Sequence, residues 1–232
     1  MLRSLPKRLG RLLSRAMRHR EATLCTAGKR VLVVGLGNYG LRGTRHNVGM
    51  AVLDELAQKL NVGSQWGADR HCRADVTVAN VKEAELVLMK PRRLMNVNGL
   101  SVASAAQTYN LGVDNIYLVH DDLEKPLGKM AIKLGGSARG HNGVRSCISS
   151  LHSDRMVRLR VGIGRPAGEA TVEGYVLGRF SSAEREVLQH ILEQAADLLL
   201  QHILQRSSGK AALALHVGQD HTPLGNQGDG TL

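Results

Sequence analysis

The sequence predicts an α/β fold, a single three-layer domain in which helices flank a mixed, mostly parallel and twisted sheet. Two observations predict it. Short apolar segments with the composition of strands alternate along the chain with segments whose apolar residues recur at helical spacing. The chain has 232 residues, which is enough for one sizeable core but not for a second full domain.

Six segments have the composition of strands. The first is almost wholly apolar, which is typical of a strand covered on both faces. The second and fifth alternate between apolar and polar side chains, so we expect them half buried or at the edges of the sheet. The stretch between the second and third predicts a hairpin that turns near Lys82 and Glu83. The predicted strands are 31–36, 74–80, 85–90, 116–120, 129–134 and 157–163.

Four segments that alternate with these strands are predicted as helices. In the first, Val48, Val52 and Leu56 recur every four residues and form one apolar face. The last is the longest, and Ser181 or Ser182 is placed to cap its start, with an acidic side chain in its first turn. The predicted helices span 46–60, 98–110, 141–152 and 182–205.

The positive charge of the chain is concentrated at its start. The formal net charge is +11, and residues 1–30 hold nine Lys or Arg against one acid, Glu21. Residues 1–28 have the composition of a mitochondrial transit peptide, so we expect the protein in the mitochondrial matrix, with the cytoplasm as the alternative. The other interpretation of this leader is a basic tail that contacts RNA. The remainder divides into a folded domain at 29–205 and a flexible polar tail at 206–232.

The composition excludes several classes of protein. No apolar run reaches the length needed to cross a bilayer, so no membrane partner is predicted. Cys25, Cys72 and Cys147 lack zinc-site spacing and would leave one thiol over from any disulfide set, which indicates a reducing compartment. The His, Asp and Glu residues also lack metal-ligand spacing, and we predict no metal.

The spacing of Gly35, Gly37 and Gly40 matches the G-x-G-x-x-G pattern of dinucleotide-binding turns. Such a turn requires a helix directly after the third glycine and an acid about 20 residues further on, at the end of a strand. Here the glycine-broken stretch LRGTRHN follows, and the nearest acids, Asp54 and Glu55, fall inside a predicted helix. We therefore predict no nucleotide cofactor.

Polar side chains follow the ends of several predicted strands. Asn38 and His46 come after the first strand, and Asn96 comes after the third. Asp121 and Asn142 follow the fourth and fifth. Sites in open α/β sheets form beyond the carboxyl ends of strands, so we expect these groups to meet.

This combination of side chains predicts hydrolysis by an activated water molecule. A neutral His is a general base near neutral pH, and a carboxylate on its other nitrogen fixes its tautomer and stabilises the imidazolium. Asn side chains both donate and accept, so they can hold a peptide-like amide or a developing oxyanion. An ester is a more tractable target than an amide, because an alkoxide leaves more readily than an amine.

Six stretches of the chain, in this order, resemble the bacterial-type peptidyl-tRNA hydrolases: VVGLGNYG, GTRHNVG, LMNVNG, LVHDDLEKPLG, KLGGSARGHNG and RLRVGIGRP. They span roughly residues 31–180, and the predicted helix at 182–205 matches the family's C-terminal helix. The basic leader makes the animal mitochondrial version the most similar. The resemblance implies a carboxylic ester hydrolase (EC 3.1.1.29) that uses no metal or organic cofactor.

The resemblance implies a role for each matching residue. His46 matches the base that activates water against the ester joining peptide to tRNA, and Asp121 matches the carboxylate that keeps this His basic. Asn38 matches the amide that contacts the peptide and favours blocked over free aminoacyl ends. Asn96 and Asn142 match amides that line the site of the peptide and the tRNA 3′ end.

The resemblance also assigns residues that contact the tRNA. Leu94 stands where a bulky residue packs beside the 3′ end, and Lys133 and Arg160 match a basic pair that binds the 5′ phosphate. The implied partner is peptidyl-tRNA, through its acceptor stem and 3′ end; a ribosomal partner stays open, and we expect a monomer. Because residues 31–232 carry a net charge of only +3, RNA binding must rely on such local cations.

Other interpretations of four of these residues stay open. Asn96 and Asn142 could be helix N-caps, a role that is compatible with ligand contact. Lys133 and Arg160 could be solvated ends of strands.

A second hypothesis is a non-catalytic RNA-binding protein on the same fold, like relatives in plant organelles that serve intron splicing. Two departures from the family favour it. Tyr39 stands where the family usually has proline, and the segment from Asn38 to His46 is shorter than the family's. Retention of both His46 and Asp121 counts against it.

Overall fold

A computed structural model describes residues 29–217 of the chain. The leader predicted at 1–28 and the last part of the predicted tail, 218–232, lie outside these residues. The strands are β1 (Lys29–Gly35), β2 (Gly67–Asp69), β3 (Ala74–Val81), β4 (Ala84–Pro91), β5 (Ile116–Asp122), β6 (Met130–Leu134) and β7 (Val157–Gly162). The helices are α1 (Val48–Lys59), α2 (Asn98–Thr108), α3 (Asn142–Leu151), α4 (Val172–Leu177) and α5 (Ser182–Val217), with short 3-10 turns at Arg45–Asn47, Met95–Val97 and Val113–Asn115.

The seven strands form one mixed sheet in the order β2-β3-β4-β1-β5-β7-β6. Parallel pairing joins the four central strands, β4, β1, β5 and β7. Antiparallel partners extend the sheet at both edges, and β3 and β4 form the predicted hairpin. The six predicted strands are confirmed; the three-residue strand β2 was missed, because so short a segment carries no periodic pattern.

Helices cover both faces of the sheet, which confirms the three predicted layers. Val31 and Val33 of β1 point to one face and pack in a core that includes residues of α1 and α5. Leu32 and Val34 point to the other face and pack with residues of α2 and α3. Since side chains alternate along a strand, an apolar β1 supplies both cores at once.

The last helix, α5, begins as the sequence predicts and ends later. Ser181 and Glu184 form a capping box: the Glu184 backbone N–H donates to Ser181 Oγ (3.2 Å), and the Ser181 N–H donates to Glu184 Oε2 (2.6 Å). The prediction that a tail starts at residue 206 is wrong, because the helix continues to Val217. Ser207 and Ser208 do not break it, since each hydroxyl donates to the carbonyl four residues earlier. Among the described residues, no helix combines the length and apolar character needed to span a bilayer.

The segment between β6 and α3 takes a path that the sequence did not reveal. Because β6 runs antiparallel to β7, Leu134 pairs with Val157, the first residue of β7. The carboxyl end of β6 therefore lies at the edge opposite the carboxyl ends of the parallel strands. Residues 135–141 therefore return along the length of β7 before α3 begins. From Val157 to Val161 this length is about 13 Å, at about 3.3 Å per residue.

Candidate active site

A cavity of about 700 Å³ lies at the edge of the sheet where the parallel strands end. The structure brings together all eight residues that the sequence analysis proposed for the site. Each of them lines this cavity: Asn38, His46, Leu94, Asn96, Asp121, Lys133, Asn142 and Arg160. They come from six separate segments of the chain, so the fold assembles the site from distant parts of the sequence.

His46 and Asp121 form a hydrogen-bonded pair on the wall of the cavity. His46 Nδ1 lies 2.9 Å from Asp121 Oδ1, and the carboxylate is almost fully buried at the end of β5. A carboxylate accepts only, so Nδ1 carries the proton and donates it to Oδ1. The lone pair of a neutral His46 is then on Nε2, which makes no hydrogen bond with any described residue. This is the arrangement of a general base with its tautomer fixed.

A second histidine, His141, donates to the same carboxylate oxygen. Its Nε2 lies 2.9 Å from Asp121 Oδ1, and its Nδ1 accepts from the Val144 backbone N–H at the first turn of α3 (3.3 Å). The ring of His141 therefore carries its proton on Nε2, which donates, whereas Nδ1 is unprotonated and accepts. Unlike His46, His141 has both nitrogens occupied, so it supports the carboxylate and has no lone pair left for substrate.

His141 was not predicted as a site residue from the sequence. The available signal was its position at the first residue of a predicted helix, where a histidine can act as the N-cap. Its contact with Asp121 depends on the return path of residues 135–141. His141, and not Asn142, is the N-cap of α3, and the N-cap of α2 is Val97. The helix-cap interpretation of Asn96 and Asn142 is therefore wrong, and both residues line the cavity.

The two histidines keep the Asp121 carboxyl ionised. Burial by itself raises the pKa of Asp121, but the charge interaction and hydrogen bond with His141, together with the hydrogen bond from His46, lower it more strongly. The pKa of Asp121 therefore lies well below its usual range. A permanent negative charge beside His46 favours the imidazolium that forms when His46 accepts a proton.

The nitrogens of His46 and His141 and the oxygen of Asp121 all lie within 4.8 Å of one another, so this set also has the composition of a cation site. To bind a cation, both imidazoles would have to give up the protons that they donate to Oδ1 and turn lone pairs toward the ion. For His141 this would compete with the hydrogen bond from Val144. The observed bonds fit a carboxylate held by two imidazole donors, and we interpret the cluster in that way.

The side chain of Asn38 is held so that its amide nitrogen remains available. Asn38 Oδ1 accepts from the Met95 backbone N–H (2.6 Å). Asn47 fixes the backbone of Asn38 from both sides: its Oδ1 accepts from the Asn38 N–H (2.7 Å), and its Nδ2 donates to the Asn38 carbonyl (2.9 Å). Within the described residues, Asn38 Nδ2 makes no hydrogen bond, so its two N–H groups can donate to a ligand in the cavity.

The loop with His46 is fastened to the start of α5 by the neighbouring Arg45. The Arg45 guanidinium donates to Glu184 Oε2 (2.6 Å) and to the Arg179 carbonyl (2.8 Å), and it lies over the ring of Tyr175 at 4.3 Å. The Arg45 backbone N–H donates to the Gly178 carbonyl (3.0 Å). These bonds restrict the 3-10 turn that carries His46.

Cations line one side of the cavity. Lys133 faces Arg158 across the β6–β7 pair, and Arg160 lies two residues along on the same face of β7. Arg160 forms an ion pair with Asp122 (2.7 Å). Desolvation and the nearby Arg139, together with Arg158 and Arg160, lower the pKa of Lys133, which indicates a crowded region of positive potential.

Arg158 is the buried member of this group and was not anticipated from the sequence. Its guanidinium donates to the carbonyls of Ser137 (2.8 Å) and Gly136. These bonds hold the loop at 135–141 on its path back toward Asp121. Arg158 thus acts on the site through the loop that delivers His141.

Comparison with known proteins identifies a family. The sequence profile of the family described as peptidyl-tRNA hydrolase matches residues 32–222. A probable peptidyl-tRNA hydrolase of Mus musculus is 60% identical over 182 residues, which are 78% of this chain and 89% of the mouse protein. A peptidyl-tRNA hydrolase of Geobacillus kaustophilus is 42% identical over 168 residues, 72% of this chain and 89% of that protein. The crystal structure of peptidyl-tRNA hydrolase from Acinetobacter baumannii matches with a TM-score of 0.69 at 29% identity, covering 79% of this chain and 94% of that chain.

We predict that His120, next to Asp121, makes the folded chain sensitive to mild acid. Its ring is buried, its Nδ1 donates to the Asp121 carbonyl (2.7 Å), and burial, followed by the charge of His141, lowers the pKa of His120 to about 3. Below about pH 6.5 His120 binds a proton in the unfolded chain but stays neutral in the folded chain. The free energy of unfolding therefore decreases as the pH falls, by at most about 1.4 kcal/mol per pH unit. We expect His120→Asn to flatten the decline between about pH 6 and pH 4, measured by urea unfolding.

The Asp121 carboxyl does not obscure this measurement. Because the pKa of Asp121 is lowered in the folded chain, its ionised carboxylate contributes to the free energy of unfolding. This contribution is fully present above about pH 4 and is lost only below it. If the free energy of unfolding changed with pH by the same slope in His120→Asn and in the unchanged chain, the assignment of the acid sensitivity to His120 would be contradicted.

Proposed function

The chain belongs to the peptidyl-tRNA hydrolase family, and we propose that it cleaves the ester between peptide and tRNA with His46 as the base that activates water. The observation that carries this proposal is the 2.9 Å hydrogen bond between His46 Nδ1 and Asp121 Oδ1. It leaves the Nε2 lone pair of His46 at the cavity. The alternative hypothesis of a non-catalytic RNA-binding protein finds no support among the relatives.

The proposed reaction has two steps. His46 Nε2 takes a proton from water while the water oxygen attacks the carbonyl carbon of the ester, and the carbonyl oxygen becomes an oxyanion. The oxyanion then collapses, the bond to the tRNA 3′ oxygen breaks, and His46 returns the proton to that oxygen. The products are a peptide with a free carboxyl end and a tRNA with a free 3′ hydroxyl. Asp121 stabilises the imidazolium between the two steps.

Three amides are placed for the acyl part of the substrate. Asn38 Nδ2 is the best-fixed donor, because its Oδ1 is already bonded to Met95. We propose that it donates to the carbonyl oxygen or to an amide carbonyl of the blocked aminoacyl end. Asn96 and Asn142 offer further donors and acceptors along the same cavity, and Leu94, which is 60% exposed, offers an apolar surface beside them.

The cations on the other side of the cavity suit the tRNA. Phosphate contacts position RNA without reading its sequence, so a few cations suffice to place the acceptor stem. Among the acidic side chains of the described residues, none forms an ion pair with Lys133, whereas Arg160 is already paired with Asp122. We therefore propose Lys133 as the principal phosphate contact, with Arg160 as a partly neutralised second one.

We predict that His46→Ala lowers kcat for N-acetyl-aminoacyl-tRNA by about 10²- to 10⁴-fold, because general-base catalysis contributes that much. Asp121→Asn keeps one oxygen that can accept from both histidines, removes the negative charge and replaces the second oxygen by an NH2 group. We expect it to lower kcat by roughly 10²-fold, because the imidazolium that forms during the reaction loses the negative charge that stabilises it. Release of free tRNA by the purified full chain is the measurement.

The matched control for this experiment is His190→Ala, because His190 lies on the exposed surface of α5 with 72% of its side chain accessible. Its activity should equal that of the unchanged chain. Full activity in His46→Ala would remove His46 as the base and leave the proposed mechanism without support.

We predict that Lys133→Met raises KM for peptidyl-tRNA and leaves kcat nearly unchanged. Loss of one phosphate contact should also reduce the slope of log KM against log salt concentration by about one. Lys125→Met, on the loop between β5 and β6, serves as a control for the loss of one positive charge. A salt slope that is identical in all three proteins would show that Lys133 does not contact a phosphate.

We further propose that residues 1–28 direct the chain to mitochondria, supported by their Arg-rich, acid-poor composition. A fusion of residues 1–30 to a fluorescent protein should then colocalise with a mitochondrial dye in animal cells. A diffuse signal throughout the cytoplasm would refute this proposal.

A further inference from the structure

A second, shallower groove of about 410 Å³ lies between α2 and α3. It shares two lining residues, Asn96 and Asn142, with the cavity that contains His46. The groove therefore continues the active-site cavity outward from its amide-lined side. We call it the α2–α3 groove, lined by Asn96, Val97, Leu100, Asn142, Arg145, Ser146, Ser149 and Ser150.

One wall of the α2–α3 groove is apolar and faces solvent. Leu94, Val97 and Leu100 are spaced by three residues through the 3-10 turn and the start of α2, and their exposed fractions are 60%, 36% and 51%. Large apolar side chains grouped on a surface commonly mark a binding site. Leu94 lines the active-site cavity and Leu100 lines the groove, so this apolar stripe runs from one into the other.

The floor of the groove is set by a close contact between α2 and α3. The Gly99 backbone N–H donates to Ser146 Oγ (3.0 Å). A Cβ at position 99 would lie only 2.1 Å from the Ser146 carbonyl oxygen, so this approach of the two helices requires glycine. The floor is thus fixed by backbone packing, and the groove keeps its shape without a ligand.

The chemistry of the lining fits a peptide better than RNA. Its single cation is Arg145, which already donates to Asn142 Oδ1 (3.3 Å), and its other polar groups are Asn and Ser side chains. RNA brings one negative charge with each nucleotide and usually meets several cations. An extended peptide brings amide donors and acceptors, which hydroxyls and side-chain amides can satisfy, together with side chains for an apolar wall.

We propose that the α2–α3 groove binds the part of the peptide that lies N-terminal to the residue esterified to the tRNA. The inference rests on the proposed function and adds a peptide subsite to it. An apolar side chain of the peptide packs on Val97 and Leu100, while Ser149 and Ser150 bond the peptide backbone from the opposite wall. Leu100 is therefore a specificity-determining residue for longer, apolar peptides and has no role for a single blocked residue.

The test compares two substrates on the same tRNA, N-acetyl-aminoacyl-tRNA and a peptidyl-tRNA with four residues, two of them leucine before the esterified one. Leu100→Asp places a charge on the apolar wall, and Ser149→Phe fills the groove from the other side. Each variant should lower kcat/KM for the tetrapeptidyl substrate by about tenfold, as expected when one apolar side chain loses its pocket, and by less than twofold for the short substrate.

Val187→Asp is the matched control, because Val187 is 50% exposed on α5 and lies in neither cavity. It should leave both substrates unaffected, and thermal melting confirms that all three variants fold. Equal losses on both substrates would overturn the peptide subsite and indicate that the groove meets the tRNA end or shapes the catalytic cavity. No loss on either substrate would also overturn it. An unchanged chain that cleaves neither substrate would refute the proposed function itself.

Discussion

The site depends on one buried carboxylate oxygen that accepts from two imidazoles. Asp121 Oδ1 lies 2.9 Å from a nitrogen of His46 and 2.9 Å from a nitrogen of His141. A buried charge is costly unless donors compensate it, so both rings must direct a proton at this oxygen. The difference between the histidines comes from their remaining nitrogens. That of His141 is occupied by the N-terminus of α3, whereas that of His46 faces the cavity.

The sheet separates two kinds of surface around this oxygen. The paired antiparallel edge of β6 and β7 supplies Lys133, Arg158 and Arg160, whereas the loops after β1 and β4 supply Asn38 and the apolar stripe that begins at Leu94. A substrate with a polyanionic half and a peptide half is matched by this division. This division agrees with the proposed orientation of the substrate, in which phosphates contact the cations and the peptide contacts the amides and the apolar stripe.

The sequence contained enough information for most of the fold and for the principal pair of the site. Apolar runs and alternation identified six strands, and the motifs around His46 and Asp121 predicted by resemblance that these two residues belong to the site. His141 and Arg158 could not be identified in this way, because their contacts depend on the direction of β6. An edge strand with alternating side chains has the same pattern in either direction, so periodicity does not distinguish a parallel from an antiparallel partner. The end of α5 was misplaced for a local reason, since Ser207 and Ser208 bond within the helix.

The carboxylate of Glu184 serves two structures at once. The same oxygen caps the first turn of α5 and receives the guanidinium of Arg45, the neighbour of His46. The turn that carries His46 and the start of α5 are separated by more than half of the chain, and the same carboxylate holds both. During synthesis on the ribosome, a chain that has emerged only as far as β7 already contains His46, Asp121 and His141, yet the clamp on the catalytic turn is missing. The turn that carries His46 is therefore held by Glu184 only after the C-terminal helix has been synthesised and has folded.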